Sequence, residues 1–189
     1  MIDRRRALAG MAATFAVPLF APIARAAGLV GKTSRPVISD GPPSVQVFTP
    51  AQHELMTALS ERVMPTTDTP GAIAAGVPDY IDKLLADWAW PDERKPIIIG
   101  LDLLDAKSLE DNKVPGAKAT PEQQDALLTA AMNDQIPNGA SFFEKFRQLV
   151  LTGYFTSEIG MTQEREYLPV PGEYHGDYLY SNVNKVFSA

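Results

Sequence analysis

The sequence predicts an all-α protein with a single small helical domain of about five helices and an extended arm at each end. Apolar residues recur at steps of three and four along most of the chain, which is typical of helices. Proline and glycine interrupt this pattern at short intervals and separate the helices. Runs of alternating apolar and polar residues, which would indicate strands, are absent from the sequence.

The composition excludes several functional classes before any motif is considered. The chain has 189 residues, of which 45% are hydrophobic and 21% charged, so a chain disordered throughout is excluded. It contains no cysteine, which excludes disulfides, thiolate metal sites and iron–sulfur clusters. Two histidines leave little scope for imidazole sites. A net charge of −6 argues against nucleic acid as a partner.

Residues 1–26 are predicted to be an export signal. Arg4 and Arg5 precede a weakly apolar, alanine-rich stretch, and Ala24 and Ala26 form a cleavage site of small residues. The arginine pair resembles the twin-arginine signal, which directs folded proteins, often with a bound cofactor, to the periplasm. The low hydrophobicity favours that route, and an ordinary secretory signal is the alternative. We therefore expect a periplasmic protein that contacts the twin-arginine translocase during export.

Residues 27–48 are rich in glycine and proline and are predicted to be an extended linker or arm. Residues 49–166 form the predicted helical domain. Its helices are expected to begin at Thr49-Pro50, at Val77-Pro78, near Glu93, at Thr120-Pro121 and at Ser141.

Capping boxes are predicted twice, from Thr120 to Gln123 and from Ser141 to Glu144. The short run 97–99 is compatible with a strand, but the helical period continues beyond it. The expected core positions include Val77, Ile81, Leu85 and Trp88, then Ile97, Leu101, Leu104 and Leu109, then Leu127, Leu128 and Met132, and finally Phe142, Phe146, Leu149 and Val150.

Residues 167–189 form a predicted extended tail that is rich in tyrosine and proline and shows no helical period. Two interpretations remain open. The rings bind a partner, since tyrosine offers a large contact area with few rotatable bonds, or they cover the core of the domain itself.

Most motifs that carry chemistry are missing. The sequence has no Gly-x-Gly-x-x-Gly, no phosphate-binding loop and no nucleophile elbow. His53 has no second histidine at metal-binding spacing. Asp68 fits a turn or a cap best, and it forms with Glu158 the one carboxylate pair that an unfamiliar enzyme site would use. Trp88 and Trp90 are compatible with a binding platform, or with one core and one covering residue.

Two blocks of sequence carry a resemblance to a known family. The opening block comprises residues 62–72 (RVMPTTDTPGA) and 76–82 (GVPDYID), and the closing block comprises residues 153–160 (GYFTSEIG) and 167–174 (YLPVPGEY). Together they resemble the gluconate 2-dehydrogenase subunit 3 family over about residues 49–175. The closing block of relatives ends with a cysteine, whereas His175-Gly176-Asp177 stands here, so any role of that thiol is absent.

The resemblance implies a small non-catalytic subunit of a periplasmic FAD-dependent sugar, polyol or glycoside dehydrogenase. A flavoprotein large subunit of the glucose–methanol–choline type would carry the FAD, and a multihaem cytochrome c subunit would accept electrons. The small subunit would support maturation, stability and export of the flavoprotein. No catalytic residue, cofactor or metal is expected in this chain.

The residues expected to dock the partner are Pro65, Asp68, Pro70, Gly71, Tyr167, Pro169, Pro171, Gly172, Tyr174 and Tyr178. A free-standing periplasmic binding or structural protein is the first alternative, and an enzyme that uses Asp68 and Glu158 is the second.

Overall fold

The computed structural model describes residues 41–168, 170, 172, 173, 177, 179–182 and 184–188. All of them belong to one compact unit, Val37–Ala189. The unit is helical, as predicted. Its helices are α1 (Pro50–Val63), α2 (Val77–Asp87), α3 (Pro91–Asn112), α4 (Pro121–Met132) and α5 (Gly139–Thr156). Short elements are the 3₁₀ turns Gly116–Lys118 and Tyr180–Asn182, the π-helical turn Gly160–Glu164, and the strands β1 (Glu166–Tyr167) and β2 (Phe187–Ser188).

Threonine caps begin two of the helices, as the sequence predicts. At α1 the Thr49 hydroxyl accepts from the Gln52 amide at 3.3 Å, and the Gln52 side chain accepts from the Thr49 amide at 2.9 Å. Thr120 and Gln123 form the same reciprocal pair at α4. Each pair satisfies amide groups that have no partner within the helix. The run 97–99 is part of α3, so the helical interpretation is confirmed.

The predicted capping box from Ser141 to Glu144 is wrong. Helix α5 begins earlier, at Gly139, after Asn138 takes up a left-handed conformation with φ of 56°. The Asp134 carboxylate accepts from the Ala140 amide at 3.2 Å, and Glu144 pairs with Arg147 instead of closing a box. Because Asn138 turns the chain immediately before Gly139, Ser141 lies within the first turn of α5 and not at its N-cap.

The core is formed where the five helices meet, and α5 packs against α2, α3 and α4. Its largest fully buried side chains include Leu55, Met56, Leu59, Val77, Ile81, Ile97, Leu101, Leu104, Phe146, Val150 and Tyr154. Helices α3 and α5 approach closely at Gly100, because a Cβ atom there would lie 2.0 Å from the Phe142 ring. Three predicted core positions are wrong: Trp88, Leu109 and Met132 are 40%, 46% and 50% exposed. Trp88 follows the last residue of α2, Leu109 lies in the last turn of α3, and Met132 ends α4, so all three side chains lie at the edge of the packed region.

The described part of the predicted N-terminal arm, residues 41–48, lies along α2. The Ser44 amide donates to Asp87 Oδ1 at 2.8 Å, and its hydroxyl donates to Ala86 O at 3.1 Å. Lys83 Nζ donates to the Gly41 carbonyl. Phe48 is 4% exposed and belongs to the core. The segment that ends at Phe48 therefore contributes to the packing of the domain.

Candidate docking surface

The loop between α1 and α2 is organised by one carboxylate. Glu61 accepts from the Thr66 amide at 2.9 Å, from the Thr66 hydroxyl at 2.7 Å and from the Ile73 amide at 3.0 Å. Gly71 is required beside it, since a Cβ atom there would lie 2.4 Å from Glu61 Oε1 and 2.6 Å from the Thr66 amide nitrogen. The loop therefore has a defined shape, which is set by Glu61, the residue directly before the opening block.

The predicted docking residues of this loop lie at its tip. Pro65 and Asp68 are exposed, Pro70 is half-buried, and Gly71 is buried beneath them. The Thr67 hydroxyl donates to Asp68 Oδ1 at 2.9 Å. This bond and local backbone amides lower the pKa of Asp68, and the positive charge of Lys185 lowers it further. Asp68 thus accepts hydrogen bonds from within its own loop.

The closing block meets the opening block at this loop. The buried Tyr154 hydroxyl, from α5, donates to Pro70 O at 2.8 Å. Thr69 Oγ1 donates to Glu164 Oε2 at 2.7 Å. The two contacts join residues that are 84 and 95 positions apart in the sequence. The first part of the closing block therefore contacts the opening block directly, and Glu164, which follows it, contacts the same loop.

Glycines allow close approach within the closing block and between it and the opening block. A Cβ atom at Gly153 would lie 2.7 Å from the Tyr80 ring, and one at Gly160 would lie 2.0 Å from Tyr154 O. Burial raises the pKa of Tyr80. After the π-helical turn, the Arg165 guanidinium lies 4.4 Å from the centroid of the Phe155 ring. The contact between Arg165 and Phe155 thus fixes the place at which the tail leaves the helical bundle.

The tail returns to pair with its own start. β1 and β2 are parallel, with Glu166 opposite Phe187, and the Glu166 amide donates to Val186 O at 2.9 Å. Lys185 Nζ donates to Gln163 O at 2.5 Å. Among the described residues from 161 to 187, none is buried. The tail therefore forms a small structured appendage on the helical domain.

Seven large apolar side chains of the tail are exposed. We call this set of residues, which lies on both sides of the short sheet, the tail face: Tyr167 (45% exposed), Leu168 (38%), Val170 (79%), Leu179 (65%), Tyr180 (64%), Val186 (61%) and Phe187 (47%). Of the remaining predicted docking residues, Gly172 has a φ of 72°. Pro169, Pro171, Tyr174 and Tyr178 lie outside the described residues, as do Arg4, Arg5, Ala24 and Ala26 of the predicted signal.

A second exposed apolar feature is an open groove between α2, the start of α3 and α5. It has a volume of about 540 Å³. Leu84, Trp88, Ile97 and Leu149 line it, and Glu93 and Lys145 are among its polar residues. Trp90 is half-buried. The sequence did not identify this groove, because its walls come from helices that are distant along the chain.

The described part of the chain contains no constellation typical of an enzyme site. Asp68 and Glu158 are both exposed, and no hydrogen bond or ion pair joins them within the described residues. No group of three or more histidine, aspartate or glutamate side chains is arranged to hold a metal ion among the residues described. Likewise, no described helix is long and apolar enough to cross a membrane.

The protein is a helical domain with an ordered loop in the opening block. A short apolar tail follows the closing block's first part, which contacts that loop. Residues 50–172 match the family model described as Gluconate 2-dehydrogenase subunit 3. The chain belongs to this family, which confirms the resemblance seen in the sequence. No curated protein and no solved structure matches the chain.

Proposed function

We propose that this chain is the small, non-catalytic subunit of a periplasmic FAD-dependent sugar, polyol or glycoside dehydrogenase. The observation that carries the proposal is the family match over residues 50–172, since the family is named for a numbered subunit of a dehydrogenase. A numbered subunit implies at least one partner subunit. In this proposal the large subunit is a flavoprotein of the glucose–methanol–choline type that binds FAD and performs the hydride transfer.

The chain's own residues support an accessory role. The sequence lacks the glycine-rich fingerprint that a dinucleotide cofactor requires, and it lacks cysteines for haem attachment or iron–sulfur clusters. The ordered loop and the exposed tail face offer a surface for another protein instead. A multihaem cytochrome c is proposed as a third subunit that accepts the electrons.

The predicted twin-arginine signal extends the proposal to export. A route that transports folded proteins allows one signal to serve a complex, so this chain would carry the flavoprotein across the membrane after FAD has bound. The arginine pair is required because lysine does not reproduce the planar guanidinium. The small subunit would in this way support maturation, stability and export of the large one.

Cell fractionation tests this proposal. Arg4→Lys with Arg5→Lys should leave both this chain and the flavoprotein in the cytoplasm. Arg25→Lys makes the same exchange outside the motif and is the matched control, so it should leave export unchanged. The readouts are immunoblots of both subunits and dehydrogenase activity with an artificial electron acceptor. Periplasmic flavoprotein in the double variant would contradict the escort role.

A free-standing periplasmic binding protein is the second candidate, and the apolar groove beside Trp88 and Leu149 is the observation that favours it. Under this alternative the chain purifies from the periplasm as a monomer without any flavoprotein. A ligand screen by thermal shift on that monomer would then find a compound whose effect is lost in Leu149→Glu. Recovery of a complex that contains FAD would exclude this alternative.

A further inference from the structure

We propose that the tail face binds the flavoprotein large subunit, and that the complementary surface of that subunit is apolar and bordered by basic residues. This inference rests on the proposed function, and it names the surface through which the small subunit would bind the large one. The opening loop positions the tail face, and the helical bundle supports both.

The first argument is the distribution of exposed apolar side chains. The seven residues of the tail face lie within residues 167–187, and each is at least 38% exposed. The other exposed large apolar side chains of the described chain are Val45, Ile73, Trp88, Ile99, Leu109 and Met132, which are spread from residue 45 to residue 132. Concentrated exposure of this kind marks an interaction surface, whereas scattered single residues are normal.

The second argument is that the helical bundle buries neither aromatic ring of the short sheet. Successive side chains of a strand point to opposite faces. Phe187 lies opposite Glu166, so its ring and that of Tyr167 project on opposite faces. The two rings are 47% and 45% exposed. The bundle thus buries neither aromatic side chain, and a two-stranded sheet is marginally stable unless something packs against it.

The third argument is charge. The basic side chains of the described tail make contacts within the chain, Arg165 over the Phe155 ring and Lys185 with the Gln163 carbonyl. The acidic residues Glu166, Glu173 and Asp177 are exposed beside the apolar residues. A partner that covers the tail face therefore needs lysine or arginine at its border, which also speeds association.

The fourth argument is that the tail is held in place before any partner binds. Glu164, at the end of the π-helical turn, accepts from Thr69 of the opening loop at 2.7 Å. The Glu166 amide and Lys185 side chain fix the return of the chain to β1. A surface that is ordered beforehand loses less conformational entropy on binding. The hydrogen bond between Thr69 and Glu164 therefore has a role in this proposal: it orders the tail through a loop that is distant in sequence.

Binding of matched variants of the full-length chain tests the assignment. The tail variant is Val170→Ser, Leu179→Ser and Val186→Ser. The helix variant is Ile99→Ser, Leu109→Ser and Met132→Ser, which replaces three exposed apolar side chains on α3 and α4. Each affinity-tagged chain is co-produced with the flavoprotein, and the captured protein is identified by its FAD absorbance and dehydrogenase activity. Affinity is then measured with the purified subunits.

The wild-type chain and the helix variant should retain the flavoprotein, and the tail variant should bind about 100-fold more weakly, because central apolar contacts dominate protein interfaces. Equal binding by the tail and helix variants would overturn the tail face while leaving the accessory role intact. Failure of the wild-type chain to capture any FAD protein would overturn the proposed function itself. If the wild-type chain is a homodimer and only the tail variant is a monomer, the tail face binds a second copy of this chain. That result would also refute the proposal.

A charge variant keeps the test decisive if the tail variant fails to fold. Glu173→Lys with Asp177→Lys changes exposed side chains only, so the melting temperature should stay within about 1 °C of wild type. It should weaken binding about tenfold at low salt and much less at high salt. Glu110→Lys with Asp111→Lys, at the exposed end of α3, is the control. Unchanged binding by the tail charge variant, at either salt concentration, would contradict the basic border.

Discussion

Replacement of Tyr154 by phenylalanine tests the contact that joins the two motif blocks. The Tyr154 side chain is 1% exposed, and its hydroxyl donates to Pro70 O at 2.8 Å and lies 3.5 Å from Thr69 Oγ1. Phenylalanine keeps the ring, including its edge-to-face contact with Phe155. The change therefore removes the hydroxyl alone.

The expected loss of stability follows from the burial of the acceptor. A hydrogen bond contributes a net of about 0.5–1.5 kcal/mol, and a buried acceptor left without a partner costs about 1–3 kcal/mol. Because Pro70 is half-buried, water partly replaces the hydroxyl, and we expect a loss of about 1–2 kcal/mol in the free energy of unfolding. At about 2–4 °C per kcal/mol for a chain of this size, the melting temperature should fall by about 2–8 °C.

Thermal unfolding followed by far-ultraviolet circular dichroism measures this effect in the full-length chain. Tyr80→Phe is the matched control, since the Tyr80 hydroxyl makes no hydrogen bond within the described residues, and its melting temperature should change by less than about 1 °C. Limited proteolysis should also cut residues 65–70 faster in Tyr154→Phe. Equal melting temperatures for the two variants would refute the conclusion that this hydroxyl holds the loop.

Three further predictions concern the bundle and the tail. Gly100→Ala should destabilise the domain by about 1–3 kcal/mol, because its Cβ would overlap the buried Phe142 ring. Gly76→Asn is the control, since Gly76 has a φ of 71° and open space around it, and it should be nearly neutral. Thermal unfolding measures both variants. The Arg62 guanidinium lowers the pKa of Asp125 from its ordinary 3.8, so this half-exposed pair should add stability above about pH 4 and lose it as the pH falls further. Asp125→Asn should thus cost at most about 1 kcal/mol at pH 7 and nothing at pH 2, as judged by urea unfolding. Deletion of all residues after Pro169 should preserve helicity and thermal stability but abolish capture of the flavoprotein; a loss of helicity would favour the interpretation that the tail covers the core.

Local patterns determined the helical elements of this protein. The Thr-Pro pairs at residues 49–50 and 120–121 supply an acceptor for orphan amides and a ring that suits the first helical turn, so the starts of α1 and α4 follow from neighbouring residues alone. The period of apolar residues identified buried positions such as Ile81, Leu101 and Phe146, because a helix packs along one face. The two motif blocks identified the family for the same reason, since they are contiguous in the sequence.

The tertiary structure decided the features that depend on contacts between distant residues. The start of α5 was misplaced because Asn138 turns the chain and Asp134 supplies the cap, which no local Ser-to-Glu spacing reveals. Trp88, Leu109 and Met132 fit the helical period yet lie at the edge of the packed region, since burial depends on which neighbours reach a position. The junction of Pro70 with Tyr154, and the exposure of the tail face, likewise arise only once the helices have packed. Periodicity specifies which face of a helix is apolar, but only the arrangement of the other helices determines how far along that face the core extends.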